Sequence, residues 1–198
     1  MRRFVLVGQR ALASPDFLLD DLAGTSGRLD VLLRALRAGL MVSHGLRHDA
    51  VVYLVLLGGP RAPKTLRFDG ATAKFLRPEE RSLATLVKKV LASAPEAAPA
   101  FTPVRPGISV VNAGLAGVLA DVEGAPLYVL EEGAPDVRSA SIDAVRGVFF
   151  LGDHLGFDVE SREELRRVGA VSLGLGPVSV HAEDAVAILS NELDRRLG

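Results

Sequence analysis

The sequence predicts an α/β fold, and three observations carry that expectation. Short apolar runs at Leu127–Leu130, Val148–Leu151 and Val171–Leu173 recur roughly 20 residues apart. Helix-compatible stretches at about Ser139–Arg146 and Ser161–Val168 lie between them, and strand–helix–strand at this spacing means parallel strands with crossovers. Val51–Leu57 is apolar throughout, β-branched and bounded by Gly58-Gly59-Pro60, the pattern of a strand buried on both faces.

The remaining elements follow in chain order. Phe4–Val7 reads as a strand. A helix is expected over Leu29–Val42, where Val31, Leu32, Leu36 and Leu40 share one face. Leu66–Phe68 and Ala73–Leu76 read as short strands around a turn at Asp69-Gly70. Pro78-Glu79-Glu80 opens a helix to about Leu91, because proline and acids suit a first turn and Lys88-Lys89 suit the last. Ala92–Ala100 is low in complexity and reads as a loop. A last helix is expected over Ala182–Leu197.

Composition narrows the function classes. The chain has 198 residues, 48% of them apolar, enough to bury one domain's core. There is no Cys, which excludes disulfides, thiolate zinc sites and a cysteine nucleophile. The four histidines lack metal-ligand spacing, and neither a G-x-G-x-x-G after the first strand, nor a P-loop, nor a G-x-S-x-G elbow is present. The N-terminal apolar run stops after four residues at Gly8, too short for a signal peptide, and no run spans a membrane. A soluble cytoplasmic protein without metal is therefore expected.

The formal charge of −1 hides a split. Residues 1–89 hold 15 basic and 8 acidic side chains, whereas residues 90–198 hold 8 basic and 16 acidic. The boundary at about 92–104 divides a basic lobe, 1–89, from an acidic lobe, 105–198, of a single domain. Lys64, Arg67, Lys74, Arg77 and Arg81 form a basic cluster suited to phosphates, while solvated surface is the ordinary alternative. Arg28 and Asp30 sit at a predicted helix start, where they serve either as cap and salt bridge or as a binding pair. Aromatic residues are few, so no stacking platform is evident. Three glycine loops, Leu130-Glu131-Glu132-Gly133, Gly152-Asp153-His154-Leu155-Gly156 and Gly174-Leu175-Gly176-Pro177, follow predicted parallel strands, where such sheets bind ligands.

Specific motifs then appear in order along nearly the whole chain. They are Ser14-Pro15-Asp16-Phe17, Gly24-Thr25-Ser26-Gly27-Arg28-Leu29-Asp30, Ser43-His44-Gly45-Leu46-Arg47, Pro63-Lys64-Thr65-Leu66-Arg67-Phe68-Asp69-Gly70, Pro78-Glu79-Glu80-Arg81-Ser82, Phe150-Leu151-Gly152-Asp153-His154-Leu155-Gly156 and Ser190-Asn191-Glu192-Leu193-Asp194-Arg195. Together they resemble the archaeal tRNA pseudouridine(54) N1-methyltransferases, the TrmY family. The resemblance implies a SPOUT-type α/β fold: a mainly parallel sheet, helices on both faces and a C-terminal trefoil knot. It also implies a homodimer, with the last helix at its interface, that acts on tRNA. S-adenosyl-L-methionine would be held at Leu130, Gly152, Leu175, Gly176, Pro177, Val178, Ser179, Val180 and Ala185. Asp30 would bond or accept the N1 proton of pseudouridine, Arg28 would orient it, and the basic cluster would hold RNA. The chain departs from the family at Gly174 and at His181-Ala182-Glu183-Asp184-Ala185, where relatives read Ser-Leu-Gly-Pro and His-Ala-Asp-His-Cys. The missing Cys removes any thiol from catalysis and bears on cofactor affinity. A methyltransferase for another RNA base or ribose, and a non-catalytic dimeric RNA-binding homologue, are the alternative readings.

Overall fold

The computed structural model describes residues 1–198. Strand β1 (Arg2–Leu12) leads to the single turn α1 (Leu22–Thr25), helix α2 (Leu29–Leu40), a small hairpin of β2 (Met41–Val42) and β3 (Gly45–Leu46), and strand β4 (Ala50–Gly58). Then come β5 (Lys64–Asp69), α3 (Glu80–Ser93), β6 (Thr102–Arg105), β7 (Ile108–Val111) and α4 (Leu115–Asp121). The C-terminal part comprises β8 (Leu127–Leu130), β9 (Val148–Gly152), α5 (Val159–Arg167), β10 (Val171–Leu173) and α6 (Ala182–Leu197).

Eight strands form one sheet in the order β10-β8-β9-β1-β4-β5-β7-β6. The first five in that order run parallel, and β5, β7 and β6 continue it antiparallel. Central strands alternate between two cores. Phe4, Leu6, Val52, Leu54, Phe149 and Leu151 pack with α2, α3 and α6, while Val5, Val7, Val51, Tyr53 and Phe150 pack with α4 and α5. Both faces of these strands are covered, which is why β4 reads as an unbroken apolar run.

Two expected elements do not form. Ala73–Leu76 is not a strand, because Asp69 turns the chain: its carbonyl accepts from the Thr72 and Ala73 N–H groups, and its carboxylate from Ala71. Ser139–Arg146 is not a helix. Asp136 and Asp143 take the N–H groups of Arg138, Val145 and Arg146, which diverts the backbone into turns. The β6–β7 hairpin and α4 are additions to the expected elements, and Pro106-Gly107 supplies the hairpin turn with Gly107 at φ 69. The Ala92–Ala100 segment does not separate two structural units. Ala98 is buried and its carbonyl accepts from Asn112, and β1 of the basic half lies between β4 and the acidic half's β9.

Candidate active site

A cleft of about 1190 Å³ opens beyond the carboxyl ends of β8, β9 and β10. Its size suits a nucleoside-containing ligand, and an open parallel sheet offers its binding site at this end. The three glycine loops do converge there. Leu130, Gly152, Leu175, Gly176, Val178, Ser179, Val180 and Ala185 line the cleft; Pro177 does not. Gly152 is required by space, since a Cβ there would meet the Gly156 backbone at 2.6 Å. No backbone N–H or C=O of residues 175–180 is hydrogen-bonded within the chain, so this wall presents free donors and acceptors.

The opposite wall comes from α2. Gly27, at φ 67, passes so close to β1 that a Cβ would lie 1.7 Å from the Arg10 carbonyl oxygen. This close approach delivers Arg28 to the cleft, itself left-handed at φ 69. Arg28 donates from Nε and Nη2 to Asp30 at 3.0 and 3.2 Å. Asp30 is buried and accepts a further bond from Arg34 Nη1 at 3.1 Å. Burial pushes its carboxyl up, but donation from Arg28 and Arg34 outweighs that and holds it below the ordinary carboxylate range. Asp30 itself does not line the cleft; it stands behind the two arginines that do.

Arg34 is a further site residue beyond those expected, and its position four residues after Asp30 on a helix is the pairing signal for it. It also binds Glu80 at 3.1 Å and Glu183 at 2.9 Å, joining α2, α3 and α6 at the cleft. Glu183 Oε2 is buried without a partner. On the far side Glu131 accepts from Arg162 at 3.0 Å and from the Ser172 hydroxyl at 2.7 Å.

The basic cluster is not one surface. Lys74, Arg77 and Arg81 are exposed, with Arg81 paired to Asp20 at 2.6 Å. Lys64 is 7% exposed, donates to Asn112, and burial lowers its pKa. Arg67 lies between Asp69 and Asp121 at 3.2 and 3.3 Å, in a group that includes the Tyr53 hydroxyl. These two cations stabilise the β4–β5–β7 part of the sheet and do not present free charge to RNA. No helix is long and apolar enough to cross a membrane, and no cluster of three metal-ligating side chains occurs.

The family described as "Putative SAM-dependent RNA methyltransferase" matches residues 1–197. The chain belongs to this family. The tRNA (pseudouridine(54)-N(1))-methyltransferase of Methanosarcina acetivorans is 39% identical over 197 residues, 98% of this chain and 92% of the relative. That of Methanocorpusculum labreanum is 40% identical over 200 residues, 99% of this chain and 98% of the relative. Among solved structures, Archaeoglobus fulgidus Nep1 bound to S-adenosylhomocysteine covers 100% of this chain and 99% of its own at a TM-score of 0.64 and 14% identity, a likeness of fold.

The cofactor of this methyltransferase family fits the cleft. Leu130, Leu151, Leu173 and Leu175 would give an adenine an apolar wall, and the unpaired backbone of residues 175–180 would meet its polar edge. Glu183, which lines the cleft, carries a buried oxygen, Oε2, that no donor of the chain satisfies.

Proposed function

We propose that the chain methylates N1 of pseudouridine in RNA, at position 54 of tRNA, with S-adenosyl-L-methionine held in the cleft. The observation that carries this reading is the convergence of Arg28, held from behind by Asp30, and the 175–180 wall on one cavity, in a chain whose near-full-length relatives bear that name. When bound, the cofactor supplies an electrophilic methyl group on a sulfonium. The residues must bring N1 in line with it and manage the N1 proton, which is only weakly acidic.

Arg28 lines the cleft and bonds Asp30 through Nε and Nη2, which leaves Nη1 without a partner in the chain, and a cation here suits negative charge developing on the uracil ring. Asp30, with both oxygens engaged and its proton affinity depressed, is assigned here to fixing Arg28 rather than to taking the proton. Glu132 and Asp184 also line the cleft without donors, but Glu183 Oε2 is the buried carboxylate oxygen that lacks one, so this reading gives it the N1–H.

A trefoil knot belongs to the same reading. Leu173 accepts from the Glu131 N–H at 2.9 Å, and Gly174 exchanges bonds with Pro135 and Val137 at 2.8 Å each. The 131–137 loop therefore flanks β10 on both sides, which supports threading. The reading also includes a homodimer acting in the cytoplasm; Leu155, Val178 and Val180, exposed apolar side chains on the cleft wall, support a second surface closing over it. The test is incubation with labelled S-adenosylmethionine and tRNA transcripts carrying pseudouridine or uridine at position 54, followed by nucleoside mass spectrometry. N1-methylpseudouridine from the first transcript alone is expected; label in uridine, in ribose or nowhere would overturn the reading.

A further inference from the structure

Phe75 is 92% exposed, more than any other large apolar side chain, and its backbone is left-handed at φ 61, a conformation that costs any residue with a Cβ. Its placement is fixed on both sides. Asp69 holds the Ala71, Thr72 and Ala73 N–H groups. Ala73 lies against Gly107, where a Cβ would meet its nitrogen at 2.2 Å. Leu76 packs against the main core. Between these anchors the chain keeps an aromatic ring in water and forgoes its burial.

The surroundings are cationic. Lys74 and Arg77 flank Phe75 in sequence and are exposed, and the salt bridges of this region engage Arg67 and Arg81 instead. The loop runs into Glu80, which bonds the cleft residue Arg34 at 3.1 Å. Phe75 and Glu80 are five positions apart, so their Cα atoms lie within roughly 18 Å of each other.

We propose that Phe75 stacks on an unpaired base of the RNA substrate, with Lys74 and Arg77 on the neighbouring phosphates. The inference rests on the RNA-methylating function proposed above. An aromatic face between two free cations matches a base within a phosphate chain, because every base has a π-face and every linkage an anion. A second copy of this chain is the weaker match. A two-fold contact centred on Phe75 would set Lys74 and Arg77 against their own equivalents.

The chain contains no tryptophan, so Phe75→Trp introduces a single indole. Titrating this variant with a tRNA transcript, and following filter retention and indole emission together, tests the contact directly. Saturable quenching in step with retention is expected. Phe75→Ala is expected to weaken retention roughly 5- to 150-fold while S-adenosylhomocysteine binding is unchanged. Retention at wild-type strength by Phe75→Ala, or retention of the Phe75→Trp variant without any change in emission, overturns the stacking role. An emission shift driven by protein concentration without RNA overturns it in favour of contact between copies. Failure of the wild type to retain RNA at all is a separate result, and it removes the underlying reading as well.

Discussion

At the scale of single residues, Asp30 illustrates how a site is built from indirect parts. Its carboxylate does not reach the cleft, yet it determines where two cleft arginines point. Asp30→Asn preserves shape and removes the charge. Single-turnover methyl transfer is expected to fall about 100-fold, the usual scale for lost orientation, while calorimetric binding of S-adenosylhomocysteine stays near wild type. Equal activity would remove the positioning role. The same residue sets a pH dependence. Because its folded pKa is depressed, its stabilisation is complete above the unfolded carboxyl value of about 3.9 and is lost as pH falls through the lower folded value. The stability gap between wild type and Asp30→Asn in urea should therefore narrow from about pH 6 to pH 3. A constant gap would mean that the arginine pairing contributes nothing net to folding.

Among the elements, α6 organises the cleft from behind. Arg196 donates to the carbonyls of Ala140, Val137 and Arg138 at 3.1, 2.6 and 3.2 Å, and to Glu192 at 2.8 Å. It thereby pins the segment that leaves the 131–137 loop, for which no helix was available. Arg196→Ala is expected to cost about 2 kcal/mol, given about 1 kcal/mol net for each of a few bonds and partial solvent exposure. For a chain of this size, that corresponds to a melting temperature lower by roughly 4–8 °C. An unchanged melting temperature in calorimetry would show that the segment holds itself. This segment also marks the limit of what was legible. The buried parallel strands declared themselves because β-branched apolar runs have few alternatives. Ser139–Arg146 looked helical because its apolar spacing is compatible with a turn of helix, but the Asp136 and Asp143 side chains compete for the same N–H groups. The glycine loops were legible as cleft walls. Arg34 is legible only as the i+4 partner of Asp30; its links to Glu80 and Glu183 are not, because these come from distant helices.

For the whole molecule, the question is how much of the basic half of the chain meets RNA. Sequence offered five clustered cations, and folding leaves three of them at the surface, since Lys64 and Arg67 are engaged by Asn112, Asp69 and Asp121. The cleft also draws Arg28 and Arg34 from the basic half and its other wall from the acidic half, so charge does not divide the labour by lobe. Binding through three phosphate contacts predicts a slope of log affinity against log salt of about −2 to −3. Arg77→Ala should make that slope shallower by about 1 and weaken binding to any tRNA sequence alike. Lys64→Met should leave the slope unchanged while lowering stability, because it removes a donor that Asn112 uses and no surface charge. Filter retention at several salt concentrations separates these outcomes. A Lys64 variant whose slope moved as far as that of Arg77 would show that the buried lysine turns outward to the phosphates, and a flat wild-type slope would show that the charge asymmetry serves solubility alone.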